Sequence, residues 1–264
     1  MKRIATDIGG TFTDLVTFDE EDGGIEIYKS LTTPDDPSIG LLNTLKLSGL
    51  HPETASTFIH GNTTVINAIT ERKGVRTALI TTAGFRDLTE IARGNRPDLY
   101  NLRFYKEVPF VPRKYRFEVR ERISGTGEVL EKINISDLET ICSLLQQHEI
   151  DAVAIAFLHG YSNITHEVQA KEFITSKLPN LPVTTSHSVT REWREYERTN
   201  TTILNSYVQP IVSNYIERLE TALDELNFNC KKFAMQSNGG TASFSSAKKI
   251  PITETRIVFS KPTK

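Results

Sequence analysis

Residues 7–14 read Asp7-Ile8-Gly9-Gly10-Thr11-Phe12-Thr13-Asp14 and lie between two short runs, 3–6 and 15–18, whose composition favours β-strands. Two adjacent glycines allow the backbone to turn tightly and to approach a ligand closely. Successive N–H groups in such a turn form an anion-binding concavity, and the hydroxyl groups of Thr11 and Thr13 add further donors. The stretch therefore predicts a phosphate-binding loop, with an ordinary hairpin turn as the alternative interpretation.

The two carboxylates that flank this loop extend the prediction to a cation. Asp7 ends the first predicted strand and is expected to hold Mg²⁺ through water, because Mg²⁺ keeps much of its hydration. Asp14 is expected to serve likewise or to order the turn. No Gly-Lys-Ser/Thr follows the glycines and the next element is a strand, which excludes a Walker loop. The candidates for holding the phosphate tail of a nucleotide are Gly9, Gly10, Thr11 and Thr13, with Asp7 and Asp14 as candidates for the metal.

The pattern along the rest of the chain predicts an α/β protein with a mixed sheet. A third strand over 25–28 follows a polar turn, so the chain opens with an antiparallel meander. A change from alternating elements to one long helix places a domain boundary near residue 190. The other predicted elements are strands over 57–59, 75–81, 117–123, 129–131, 152–158, 183–186 and 233–235, helices over 64–72, 166–178 and 190–226, the last interrupted by Pro210, and two helices that start after the N-caps Asp36 and Ser136.

Composition and charge exclude several classes of partner. The 264 residues include 31 Lys and Arg against 33 Asp and Glu, a net charge of −2, whereas a protein that binds nucleic acid normally carries a basic excess. No segment approaches the roughly 20 apolar residues that cross a membrane. The two cysteines have no metal-site or disulfide-framework spacing. We therefore expect a cytoplasmic protein that binds neither nucleic acid nor a membrane.

A second polar group follows the predicted strand over 57–59. His60 precedes Gly61-Asn62-Thr63-Thr64, and a histidine at the end of a strand beside hydroxyl groups can act as a general acid or base. Thr63 and Thr64 can also cap the next helix and hold an anion at its N-terminus. The alternative is that Asn62 or Thr63 is simply an N-cap and that His60 is a satisfied polar residue.

The loop over 7–14 resembles the first phosphate loop of the superfamily that contains actin, the sugar kinases and the heat-shock-chaperone ATPases. Its form with Thr11-Phe12-Thr13-Asp14 resembles one branch, the hydantoinase A and oxoprolinase family, which includes ATP-dependent acetone and acetophenone carboxylase subunits. Further segments that match this family in order are Thr32-Thr33-Pro34, His60-Gly61-Asn62-Thr63-Thr64-Val65, Glu71-Arg72-Lys73-Gly74, Thr81-Thr82-Ala83-Gly84-Phe85-Arg86-Asp87, Arg96-Pro97, Arg194-Glu195-Tyr196-Glu197-Arg198 and Met235-Gln236-Ser237-Asn238-Gly239-Gly240.

The resemblance implies a fold and an activity. The expected fold is a ribonuclease-H-like (actin-like ATPase) first lobe over 1–189 and the helical start of a second lobe over 190–253, followed by a divergent tail over 254–264. The expected activity is ATP- and Mg²⁺-dependent hydrolysis of a cyclic amide such as a hydantoin or 5-oxoproline. The alternative activity is that of an ATP-dependent ketone carboxylase subunit.

The resemblance also implies roles for residues and partners. Asp7 and Asp14 would organise Mg²⁺, the residues from Gly9 to Thr13 would hold the phosphates of ATP, and His60, Thr63 and Thr64 would lie near a small cyclic amide. A B-type hydantoinase subunit or a second copy of the chain is the expected partner.

The sequence departs from the family at its end. The family continues with a second glycine-rich loop of the type Ser-Gly-Pro-x-x-Gly, which residues 254–264 do not contain. We therefore expect an incomplete chain, because phosphoryl transfer needs groups on both sides of the phosphates. The alternative is a catalytically inactive remnant or split lobe that needs a partner chain.

Overall fold

The computed structural model describes residues 1–9, 11–33, 37–93 and 100–254. Within these residues the chain forms two compact units: unit 1 contains residues 1–73 and 211–254, and unit 2 contains residues 74–210. The N-cap predicted at Asp36 and the tail over 255–264 lie outside the described residues.

Strands and helices alternate along most of the chain. The strands are β1 (Lys2–Ile8), β2 (Phe12–Asp19), β3 (Ile25–Leu31), β4 (Ala55–Asn62), β5 (Thr77–Thr82), β6 (Arg116–Val119), β7 (Arg122–Ile123), β8 (Val129–Glu131), β9 (Ala152–Ala156), β10 (Val183–Thr185), β11 (Lys231–Met235) and β12 (Thr241–Ser243). The helices are α1 (Pro37–Ser48), α2 (Thr64–Thr70), α3 (Leu88–Ile91), α4 (Ile135–Gln147), α5 (Thr165–Lys177), α6 (Ser186–Val189), α7 (Glu195–Glu225) and α8 (Phe244–Lys249). The predicted α/β class is confirmed.

Unit 1 is built on a six-stranded mixed sheet with the order β12-β11-β4-β1-β2-β3. The predicted meander is confirmed, because β1 pairs with β2 and β2 with β3 in antiparallel fashion. β4 pairs in parallel with both β1 and β11. Along β1 the side chains of Ile4, Thr6 and Ile8 are buried and that of Asp7 is exposed, so one face of the sheet packs on the core and the other carries charge.

Unit 2 is built on a four-stranded parallel sheet with the order β10-β9-β5-β6. Every residue of β5 and β9 is buried, as expected for central strands of a sheet that is covered on both faces. Part of its core is formed by Ile80, Val119, Leu138, Ile141, Val153, Ile155, Phe157 and Ile174. The predicted strand over 117–123 is divided, because β6 ends at Val119 and β7 is a separate strand that pairs with β8.

Two local predictions about helices are wrong. α4 begins at Ile135, and its N-cap is Asn134, whose side chain accepts a hydrogen bond from the N–H of Asp137 at 3.2 Å, so Ser136 is not the cap. The predicted interruption at Pro210 is also wrong, since α7 runs through it. Apolar side chains before and after Pro210, among them Val208 and Val212, are fully buried, and this packing outweighs the loss of one helical donor.

Among the residues that the structure describes, no helix is long and apolar enough to cross a membrane.

Candidate functional site

Three turns of unit 1 lie at one edge of its sheet. β1, β4 and β11 are parallel, so their C-terminal ends point in the same direction. In the register of these strands Asp7 pairs with Gly61, Ile8 with Asn62 and His60 with Ala234. The turn that begins at Gly9, the turn before α2 and the turn over 236–240 therefore meet at this edge. The structure thus brings together the two segments in which sequence analysis placed the site residues.

Thr32, which follows β3, stabilises the first turn through hydrogen bonds. The N–H of Gly9 donates to the carbonyl of Phe12 at 3.0 Å, and the N–H of Thr32 donates to the carbonyl of Thr11 at 3.0 Å. The hydroxyl of Thr32 donates to the carbonyl of Gly9 at 2.9 Å. A side chain at Gly9 would begin 3.3 Å from the Phe12 carbonyl oxygen, so glycine suits this tight approach. Thr11 is exposed, and Gly10 lies outside the described residues.

Asp7 and Asp14 are direct cross-strand partners on β1 and β2 and therefore share a face of the sheet. Asp7 is exposed and Asp14 is partly exposed. Asp14 Oδ1 lies 3.0 Å from Nζ of Lys29, which is its partner on β3. Asp7 Oδ1 lies 3.4 Å from where a side chain on Gly61 would begin. The Asp14 carboxylate is therefore directed towards β3, and that of Asp7 lies on the side of β4.

Thr13 lies on the other face of β2. Its side chain is fully buried, and its hydroxyl is 3.0 Å from that of Thr32. A side chain on Gly40 of α1 would begin 2.7 Å from the Thr13 hydroxyl, so helix α1 can approach β2 closely only at a glycine. The hydroxyl of Thr13 is therefore part of the packing beneath the turn, and its predicted phosphate contact stays a prediction.

His60 lies in the core of unit 1 and is fully buried. Its Nδ1 is 2.9 Å from the hydroxyl of Thr6, and its Nε2 is 2.7 Å from the hydroxyl of Tyr215. The rings of Phe58 and Phe244 flank it at centroid distances of 6.4 and 6.5 Å. Burial lowers the pKa of His60 from 6.5 to about 3, because an apolar environment disfavours the imidazolium. The ring is thus neutral, with both nitrogens in contact with hydroxyl groups.

Thr63 and Thr64 begin the short helix α2. Thr63 occupies the N-cap position but makes no side-chain cap hydrogen bond. Its hydroxyl accepts a hydrogen bond from the side-chain amide of Asn67 at 3.2 Å. Thr63 is exposed and Thr64 is partly buried. The structure therefore places the hydroxyl of Thr63 at the surface, beside the turn that follows β4.

The third turn joins β11 to β12. Gly239 has a φ of +86°, and its N–H donates to the carbonyl of Gln236 at 3.0 Å. Thr253 stabilises the turn, because its hydroxyl accepts a hydrogen bond from the Gln236 side chain at 3.0 Å. This segment belongs to the residues that resemble the family, although no site role is predicted for it from the sequence.

No group of three His, Cys, Asp or Glu side chains converges within residues 1–9, 11–33, 37–93 and 100–254. The acidic pair Asp7–Asp14 can therefore supply at most part of a cation's coordination from the described chain. This limit suits an ion that retains water ligands.

Comparison with protein families gives two matches. Residues 3–178 match the hydantoinase/oxoprolinase N-terminal region, and residues 198–260 match the hydantoinase/oxoprolinase domain that follows it.

Individual proteins match over nearly the whole chain. An uncharacterised protein of Methanocaldococcus jannaschii is 38% identical over 252 residues, which cover 94% of this chain and 37% of that protein. The caprolactamase subunit alpha of Pseudomonas jessenii is 31% identical over 250 residues, which cover 91% of this chain and 36% of that subunit. The chain therefore spans little more than a third of the length of these relatives.

Two solved structures have the same fold. The ATP-dependent caprolactamase from Pseudomonas jessenii superposes with a TM-score of 0.85 at 29% identity, over 95% of this chain and 38% of that one. Nucleotide-free acetone carboxylase, which carries out ATP-dependent acetone carboxylation, superposes with a TM-score of 0.84 at 25% identity, over 96% of this chain and 38% of that one.

Proposed function

We propose, since this chain belongs to the hydantoinase/oxoprolinase family, that the turn after β1 binds the phosphates of ATP and that the acidic pair holds Mg²⁺. The observation that carries the proposal is the position of Asp7 and Asp14. They lie directly opposite each other on one face of the sheet, on the two strands that this turn joins. Like charges placed opposite each other destabilise a sheet. A bound cation would therefore reduce the electrostatic repulsion between the two carboxylates.

The chemical groups at this turn suit both Mg²⁺ and the phosphate groups of ATP. Mg²⁺ prefers oxygen ligands and keeps several waters, and the pair offers carboxylate oxygens on an exposed face. Phosphate groups suit the backbone of the glycine turn and the exposed hydroxyl of Thr11. When bound, ATP would supply a phosphoryl group to activate an oxygen of the substrate. Gly10 and Thr13 stay predicted phosphate contacts.

The reaction that we propose for the whole protein is ATP-dependent opening of a cyclic amide. The caprolactamase named above supports this class, because caprolactam is a cyclic amide and that enzyme is described as ATP-dependent. The second candidate is a subunit of an ATP-dependent ketone carboxylase, which the acetone carboxylase fold match favours. The substrate role of His60, Thr63 and Thr64 stays a prediction, and for His60 it requires the contact with Tyr215 to open.

We also propose that unit 1 contains a ribonuclease-H-like lobe of the actin-like ATPase type. Its support is the strand order β3-β2-β1-β4, in which an antiparallel meander is continued by a parallel strand. The predicted division of the sequence into 1–189, 190–253 and 254–264, and a cytoplasmic location, stay predictions.

A partner subunit is the last part of the proposal. The relatives include a subunit alpha of caprolactamase and a beta subunit of acetone carboxylase. In unit 2, Tyr100, Leu102 and Tyr105 are close in sequence and at least 87% exposed, and large exposed apolar side chains mark interaction sites where they form a contiguous patch. We therefore expect Leu102→Ser with Tyr105→Ser to weaken copurification with a B-type subunit, while the exposed-residue control Ile66→Ser in α2 leaves it unchanged. Loss of self-association in sedimentation velocity, with no effect on the B-type subunit, would identify a second copy as the partner.

The test of the phosphate site is calorimetric titration of the chain with Mg²⁺ and a non-hydrolysable ATP analogue. We expect millimolar or tighter binding, which Asp7→Ala abolishes. Asp151→Ala, in unit 2, is the control for the loss of one surface carboxylate. Absence of binding by a chain whose circular dichroism spectrum is that of a folded protein would reject the site.

A further inference from the structure

Lys29 on β3 completes a row of charged side chains across the sheet of unit 1. Lys29 pairs with Asp14, and Asp14 pairs with Asp7, so all three side chains share one face. Nζ of Lys29 lies 3.0 Å from Asp14 Oδ1. No local motif marks this lysine, because the register that places it beside the acidic pair is a property of the folded sheet.

Lys29 also contacts the turn itself. Its ammonium group lies 4.7 Å from the centre of the Phe12 ring, and the carbonyl of Phe12 accepts the hydrogen bond that closes the turn at Gly9. Half of the Lys29 side chain is exposed, so a flexible four-carbon stem can redirect the ammonium group without repacking the core.

The net charge of this row of side chains changes sign when a divalent cation binds. Two carboxylates and one ammonium group carry one net negative charge, whereas the same three groups with a divalent ion carry one net positive charge. The ion would compete with the ammonium group of Lys29 for Asp14, because both cations would bind to the same carboxylate. An ammonium group that loses this contact is a strong donor to phosphate oxygens.

We propose that Lys29 is an internal counter-ion, which neutralises Asp14 until a divalent cation binds and then becomes a ligand of the phosphate groups. The proposal rests on the proposed function of the turn after β1. It predicts that one substitution at Lys29 changes two affinities in opposite directions.

The test compares Lys29→Met with Lys2→Met. Lys2 lies at the other end of β1, is paired with Glu26 at 3.1 Å, and carries the same charge. The probes are Mn²⁺ alone, followed by electron paramagnetic resonance, and a non-hydrolysable ATP analogue with Mg²⁺, followed by calorimetry. We expect Lys29→Met to bind Mn²⁺ about two- to fivefold more tightly than Lys2→Met, which is the range that an exposed ion pair contributes. We expect the same variant to bind the analogue about fivefold or more weakly.

The outcomes separate the two proposals. Equal affinities of the two variants for both probes, with tight binding by the parent chain, would overturn the role of Lys29 and leave the phosphate site in place. Weaker Mn²⁺ binding by Lys29→Met would overturn the competition for Asp14, and an unchanged affinity for the analogue would overturn the phosphate contact. Failure of the folded parent chain to bind either probe would reject the phosphate site and this inference with it.

Discussion

The two units place charged side chains in different environments near the C-terminal ends of parallel strands. In unit 1, Asp7 is exposed and Asp14 is partly exposed; the two lie beside each other, and Lys29 is the positive partner of Asp14. In unit 2, Glu167 and Arg198 are fully buried. The difference separates two uses of charge: unit 1 has two carboxylates and one ammonium group near its surface, where we propose that a cation binds, and unit 2 has a buried network that joins its own elements.

The network of unit 2 is centred on Glu167 of α5. Its carboxylate accepts hydrogen bonds from the backbone N–H of Phe157 at 3.1 Å, the hydroxyl of Ser186 at 2.5 Å and the backbone N–H of His187 at 3.0 Å. Arg198 of α7 lies 3.4 Å from the same carboxylate and also donates to the carbonyl of Phe157 at 2.7 Å. The end of β9 and helices α5, α6 and α7 are therefore joined through two side chains.

The largest effect is expected for Glu167→Gln. The substitution removes one of the two carboxylates that are paired with the buried guanidinium of Arg198, the other being that of Glu195. Because charge-assisted hydrogen bonds to Glu167 are lost, unfolding should become easier by about 1.5–3 kcal/mol. Chemical denaturation of the chain measures this change. The control is Glu149→Gln, because Glu149 pairs with Arg76 at 3.4 Å but is 87% exposed, and exposed pairs contribute about 0–1 kcal/mol. A loss below about 1 kcal/mol for Glu167→Gln would contradict the structural role of the network.

The next effect concerns His60, the buried polar group of unit 1, and depends on pH. The pKa of His60 is about 3 in the folded chain and 6.5 as a model value, so below pH 6.5 the unfolded state binds more protons. Stability is complete above pH 6.5 and falls as the pH drops towards 3, by about 2 kcal/mol between pH 6.5 and 5. We expect His60→Gln to remove this part of the slope in denaturation curves.

The control for the pH experiment is His51→Gln. The side chain of His51 is 79% exposed, so this variant should keep the full slope of the parent chain. The window above pH 5 lies well above the range in which Asp87 and Asp137 titrate, since ion pairs with Arg113 and Arg120 hold the pKa values of those carboxyl groups below their usual range. An unchanged slope in His60→Gln would mean that His60 is accessible to solvent, as its predicted catalytic role requires.

Local signals in the sequence predicted most of the elements of the fold. The β-prone runs over 3–6, 15–18 and 25–28 are local signals, and the structure confirms the antiparallel meander that they predict. The predicted interruption at Pro210 is wrong because the local effect of proline on a helix is smaller than the stabilisation from buried apolar side chains along α7.

The candidate site likewise contains some residues that the local sequence identifies and others that only the folded sheet brings to the site. Asp7 and Asp14 could be chosen from residues 7–14 alone, whereas the contributions of Lys29 and Thr32 depend on the register of β3 and on the turn that follows it. A signal for the burial of His60 was present in the sequence. Phe58 lies two residues earlier in the same strand and therefore on the same face, which indicates the core.

A smaller effect is expected for Thr32→Val at the turn of unit 1. The substitution keeps the shape of the side chain but removes the hydroxyl that donates to Gly9 and contacts Thr13, which should cost about 1–2 kcal/mol of stability and weaken binding of the ATP analogue. The control is Thr70→Val, because the Thr70 hydroxyl donates only within α2 and its neighbourhood is exposed. Equal analogue affinities of the two variants would show that Thr32 does not position the turn.

The smallest change in stability is expected for Asp7→Asn, and its sign is opposite to that of Glu167→Gln. Within the described residues Asp7 has no cationic partner, so neutralising it removes repulsion with Asp14 and should raise the free energy of unfolding by about 0.2–1 kcal/mol. Salt screens charges at an exposed site, so the gain should shrink in 1 M NaCl, whereas the loss in Glu167→Gln should persist because that network is buried. The same variant should lose binding of Mg²⁺ with the ATP analogue. A gain in stability together with a loss of binding is the behaviour of a functional residue, and a loss of more than about 1 kcal/mol would instead place Asp7 among the structural charges, as in unit 2.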